Sequence, residues 1–244
     1  MKKILAFVAI AAALCCVSCK KDNGGKNNNN NNNQEQNQNQ EENKYVAPIA
    51  IDGDFADWAK LDESKTAVAK NEEGASHEAL KVLKVYADEY YIFMYFEWDK
   101  EMVEHSESEN VPLHVYINSD GKSDTGGFAD QWSDACMDVM FEGYIYPGGT
   151  LGSYDPGAYT WEGEVNGSGW DDCWVGIDCA SGLFLGAGVD GKYELQMTRE
   201  LFPKGKIADV FSIGIDIQQD WDSVGVLPNA AEGTAPSLQV TTVK

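Results

Sequence analysis

The sequence predicts an all-β fold, an antiparallel β-sandwich, and three observations carry that prediction. Apolar residues recur at every second position through most of the chain beyond residue 45. Turn formers, among them 24 glycines, interrupt the alternation, at roughly 8- to 15-residue intervals of the kind that separates short strands. Helical spacing is weak, with Thr198 to Phe202 the one candidate turn. One such domain of about 200 residues is the natural solution to that pattern.

The elements follow in order. Leu80, Val82, Lys84 and Tyr86 alternate with Lys81, Leu83 and Val85. Asp88-Glu89 then turns the chain into residues 90–98, YYIFMYFEW, which is apolar on both faces and so predicts a central strand paired to the first as a hairpin. Leu113, Val115 and Ile117 alternate with His114 and Tyr116. Tyr193, Leu195 and Met197 form a further strand, as do Phe211, Ile213, Ile215 and Ile217, and the chain closes on Leu238, Val240 and Thr242.

Charge narrows the function. The chain has 244 residues with 18 Lys+Arg against 40 Asp+Glu, a net −22. A nucleic-acid partner is excluded, because phosphate binding needs a basic face. Arg199 is the sole arginine, so an arginine cluster for phosphate or sulfate is excluded too. The 43% hydrophobic content is enough to bury a core despite the charge.

The N-terminus reads as an address. Lys2 and Lys3 precede the uncharged apolar run Ile4 to Val17. As a helix that run reaches about 21 Å, short of the ~30 Å hydrocarbon core, so residues 1–18 are a secretory signal rather than a membrane span. The stretch Cys16-Val17-Ser18-Cys19 resembles the lipobox of bacterial lipoproteins, with Cys16 where the family usually has Leu. The resemblance implies Cys19 as the acylated N-terminus and a lipid anchor in the outer membrane, on its surface or periplasmic side. Residues 20–44, with a seven-Asn run and Gln/Asn/Glu repeats, hold no apolar residue and read as a disordered tether. Six of the bases and four of the acids precede Tyr45, which leaves the domain at residues 45–244 with 12 against 36, a net −24. Of the cysteines only Cys136, Cys173 and Cys179 fall in the domain. Their spacing matches no zinc motif, and they read as free thiols, with a Cys173–Cys179 pair as the alternative.

Four segments stand together: Ile49-Ala50-Ile51-Asp52-Gly53-Asp54-Phe55-Ala56-Asp57-Trp58; the hairpin of residues 84–97; the loop Asn118-Ser119-Asp120-Gly121-Lys122-Ser123-Asp124-Thr125-Gly126-Gly127 with Asp138-Val139-Met140-Phe141-Glu142-Gly143 after it; and Tyr193-Glu194-Leu195 with Val224-Gly225-Val226-Leu227-Pro228. Their order and spacing over residues 49–243 resemble family 9 carbohydrate-binding modules and their DOMON-like relatives. The resemblance implies a jelly-roll β-sandwich, non-catalytic glycan binding and a structural calcium. On the residues alone, the loop reads equally as calcium ligands or as an Asp/Gly turn with solvated carboxylates. The resemblance favours calcium, held by Asn118, Asp120 and Asp124 with Asp138 from the next strand. Sugar binding needs flat aromatic faces and a few polar groups. Val111-Pro112 and Leu227-Pro228 stand near the places of the family's two clamp tryptophans, so that clamp is not carried over. Trp132, Trp170 and Trp221 sit among Ser, Gly and Asp and are the candidate ligand contacts; Trp58, Trp98, Trp161 and Trp174 are assigned to the core.

The expected function is therefore a cell-envelope lipoprotein that captures a glycan or polysaccharide, with an adhesion or assembly subunit binding an envelope protein as the alternative. No Ser-His-Asp or metal-hydrolase motif appears, and the chain is not read as an enzyme. Some DOMON relatives bind haem through Met and His, so the resemblance also implies, as the least favoured alternative, a haem site at His114 with a methionine from 94, 137, 140 or 197.

Overall fold

The computed structural model describes residues 45–103, 110–146 and 154–244. The signal, Cys19 and the tether lie outside the described residues. Residues 46–244 form one compact unit, an antiparallel β-sandwich as the alternation predicts.

One sheet has five strands. In sequence these are β1 (Ala67–Lys70), β2 (Leu80–Ala87), β3 (Tyr91–Trp98), β8 (Phe184–Val189) and β9 (Lys192–Thr198), in the spatial order β1-β2-β3-β9-β8. The other has seven: β4 (Val111–Asn118), β5 (Val139–Ile145), β6 (Gly157–Trp161), β7 (Trp174–Ile177), β10 (Val210–Gln219), β11 (Asp222–Leu227) and β12 (Leu238–Thr241). Its order is β11-β10-β4-β5-β6-β7, with β12 also pairing β10. Three short 3-10 turns, at Phe55–Ala59, Glu63–Lys65 and Arg199–Leu201, are the helical elements among the described residues.

β3 is central because both its faces are apolar. Ile92, Met94 and Phe96 enter the core between the sheets, where they meet Leu113, Val115 and Ile117 of β4 and Ile213, Ile215 and Ile217 of β10. Each such side chain contributes roughly 1.5–3 kcal/mol by leaving water. Phe93 and Tyr95 point the other way and are covered by the opening segment, whose Ile49, Ile51 and Trp58 are buried against them.

Glu194 of β9 fixes that segment. One carboxylate oxygen accepts the backbone N–H groups of Asp52 at 2.9 Å and Gly53 at 2.8 Å, and the other accepts Trp58 Nε1–H at 3.1 Å. Gly53 has a φ of +80°, which glycine adopts without strain. The opening Ile-Asp-Gly…Asp-Trp sequence is thus a lid stitched to the five-stranded sheet by one buried acid.

The seven-stranded sheet is covered differently. Its outer face carries Tyr116, Met140 and Val226, over which lie Phe128, Trp132, Met137, Trp161 and Trp174 from the connecting loops and strands β6 and β7. This second apolar layer leaves one end of the outer face open.

Candidate functional site

Register builds that open end. Asp216 of β10 is opposite His114 of β4, and His114 is opposite Glu142 of β5. The three side chains form a polar row across adjacent strands, on the face opposite the apolar core residues that flank them. His114 Nδ1 lies 3.8 Å from Asp216 Oδ2, and Nε2 lies 3.6 Å from Glu142 Oε2. His114 and Asp216 are buried, while the Glu142 side chain keeps 29% of its surface in water. Asp216 Oδ2 accepts Gln218 Nε2–H at 3.0 Å and the Ser223 hydroxyl at 2.8 Å. Asp216 Oδ1 and His114 Nε2 are buried without a hydrogen-bond partner among the described residues, a costly state for a polar group and most of all for a carboxylate.

Over this row opens a cleft of about 520 Å³, within the ~300–1,000 Å³ typical of small-molecule sites. Phe128, Gln131, Glu142, Trp170, Asp216, Gln218, Trp221 and Ser223 line it. Trp170 is 40% exposed and Trp221 67% exposed, so two of the three tryptophans expected to contact ligand are accessible and share one concavity. Trp170 is positioned by His114, whose ring centre lies 5.5 Å from its own, and by Phe128 at 5.7 Å.

Trp221 is placed by the backbone. Gln219 pairs with Asp222, so Asp220-Trp221 is a two-residue hairpin turn between β10 and β11. Both residues have positive φ, +51° and +72°, the conformation a tight hairpin demands and for which Asn-Gly is the common choice. Asp tolerates it; a tryptophan there costs about 1–2 kcal/mol. Phe128, on the opposite loop, is a second aromatic with a φ of +78°. Bulky residues held in this region concentrate at functional sites, and both line the same cleft.

Trp132 corrects the sequence expectation. It is fully buried in the outer apolar layer, with its ring 5.0 Å from Tyr116, and cannot present a face to a ligand. The cause is Gly214 in the middle of β10: a Cβ there would stand 2.2 Å from the Trp132 ring. Glycine inside a strand pattern signals such a close approach. The core assignments of Trp58, Trp98, Trp161 and Trp174 hold, since all four are buried.

The Asn118–Gly127 loop is held by its own hydrogen bonds. Asn118 Oδ1 accepts Gly121 N–H at 2.9 Å, and Asn118 Nδ2 donates to the Lys122 carbonyl at 2.9 Å and to Cys136 Sγ at 3.0 Å. Asp138 Oδ2 accepts Ser119 N–H at 2.8 Å, the Ser119 hydroxyl at 3.1 Å and Asp120 N–H at 3.3 Å. Asp120 is engaged by Lys122 Nζ at 3.1 Å and by the Thr125 hydroxyl at 3.0 Å. Burial, with the Asp120 charge beside it, pushes the Asp138 carboxyl above its usual range. No hydrogen bond or ion pair places Asp124 in this network among the described residues, and no group of three His, Cys, Asp or Glu side chains is gathered as a metal cage among them.

Cys136, Cys173 and Cys179 are free thiols. Burial pushes the Cys136 thiol up to about 11. The methionines at 94, 137, 140 and 197 are fully buried in the two apolar layers.

Sequence reasoning did not assemble the polar row. Its signal was present, because His114, Glu142 and Asp216 each interrupt an apolar strand, yet which strands are neighbours is not written locally. The chain matches no family model, and no curated protein matches it.

Proposed function

We propose that the domain is a non-catalytic glycan-binding module, carried on the cell envelope by a lipid on Cys19, and that the glycan occupies the cleft between Trp170 and Trp221. The observation that carries this reading is the pairing of two accessible indoles with a polar floor of Glu142, Gln218 and Ser223. Aromatic faces receive the CH surface of a sugar ring, and the floor supplies partners for its hydroxyls. The non-catalytic part is supported by burial. A glycosidase needs two carboxylates that reach opposite sides of the scissile bond, whereas Asp216 is 2% exposed and Glu142 alone of the pair meets solvent.

Titration calorimetry of array-positive glycans tests the reading. Trp170→Ala and Trp221→Ala should each weaken binding at least about tenfold with melting unchanged to a few degrees. Retained affinity in both variants, or no glycan bound by the parent and an envelope protein bound instead, would move the assignment to an adhesion or assembly subunit.

Calcium is the second part of the proposal. Asp120 and Asp138 repel one another across the Asn118–Gly127 loop, the condition a divalent cation relieves, and a bound ion would take over from Lys122 the neutralisation of Asp120. Asn118, Asp120, Asp124 and Asp138 are the oxygens offered. Millimolar calcium should then raise the melting temperature by mass action, and Asp120→Ala should abolish the rise. A melting curve indifferent to calcium and chelator would remove the ion from the account.

A further inference from the structure

Resting on the glycan reading of the same cleft, we propose that its preferred ligand is a cationic amino sugar, a glycan bearing a free protonated amine. The lining supplies two carboxylates, Glu142 and Asp216, three neutral polar groups, Gln131, Gln218 and Ser223, and no lysine or arginine. His114 sits between the carboxylates. The floor thus offers two carboxylates against one imidazole.

The groups divide the work. Glu142 is the accessible acid and accepts the ammonium hydrogens directly, a charge-assisted bond stronger than one to a hydroxyl. Asp216 lies beneath, 2% exposed, with Oδ1 lacking a partner among the described residues. A carboxylate in that state wants a positive charge nearby. Tyr116 lies beside the same floor, its hydroxyl pushed above its usual range first by burial and then by the neighbouring Asp216 and Glu142. Trp170 and Trp221 add ring faces, which attract an ammonium as well as the sugar's CH surface. Outside the cleft, the domain's net −24 repels uronic and sulfated glycans and draws cations toward the opening.

The test compares matched ligands on the full chain. Glucosamine and galactosamine oligosaccharides are titrated beside their N-acetylated and unaminated counterparts and a uronic-acid oligosaccharide, at mildly acidic pH and two salt concentrations. The free amines should bind about tenfold tighter than their partners. That preference should collapse in Glu142→Gln and shrink at high salt. Neutral or uronic glycans bound as well as the amines, or a preference that survives Glu142→Gln, would overturn the amino-sugar assignment and leave the glycan reading standing. Absence of binding to every glycan, with the fold intact by circular dichroism, would overturn both.

Discussion

Trp221 is 67% exposed and sits at a φ of +72°, so neither burial nor local geometry accounts for an indole at this hairpin tip. Glycine would relax the turn. Trp221→Gly should leave thermal stability equal to or above the parent, and Trp221→Ala, which keeps a Cβ in the left-handed region, should be less stable than Trp221→Gly by about 0.5–1 kcal/mol. Both should lose glycan affinity. Urea unfolding of the three proteins checks the order; a Trp221→Gly variant clearly less stable than the parent would mean that the indole is structural. Asp-Trp-Asp flanked by strands announced a loop tryptophan in the sequence, and Trp170 was legible for the same reason. Trp132 looked identical by that criterion and is not. Its burial depends on Gly214, 82 residues away in the chain; a glycine inside a strand signals that something packs close, but not which residue does so.

At the scale of elements, period-two alternation located β2, β4, β9, β10 and β12 but not β5 or β11, and β3 was legible as a sheet centre because a strand apolar on both faces has nowhere else to go. The short, mixed strands β1, β6, β7 and β8 were not legible in detail: each has five or so residues, and their pairing rather than their pattern defines them. The opening segment was legible as a motif but not as a lid. Its attachment is Glu194, an acid between Tyr193 and Leu195 in the middle of β9. Glu194→Ala strips two backbone N–H groups and the Trp58 indole of their acceptor, and should destabilise the domain by about 2–4 kcal/mol. Proteolysis should then cut near residues 52–58 first. Unchanged stability and uncut termini would show the lid to be held by Trp58 packing alone.

For the whole molecule, burial sets the sign of the pH response. The Glu194 and Asp138 carboxyls are pushed above their usual range, first by desolvation. Between the ordinary and the raised pKa the folded state holds protons that the unfolded chain has released, so their contribution rises as pH falls through that window. Asp57, Asp62, Asp120, Asp190 and Asp209 are lowered instead. Their contribution is lost as pH falls through their depressed values, below the ordinary 3.8, and it is small because most are solvated. Relief of the net −24 repulsion acts with the first group. Chemical denaturation should give a higher midpoint at about pH 5 than at about pH 7.5, and a flat or falling profile would contradict it. The same architecture links assembly to recognition. Glu142, His114 and Asp216 come together only because three strands meet in one register. A slip of one residue in β4 would bring Leu113 or Val115 to the cleft and drive His114 inward. A misassembled copy would therefore lose the polar row as well as stability, so the proposed ligand, if bound there, would report on the register of the sheet that makes its site.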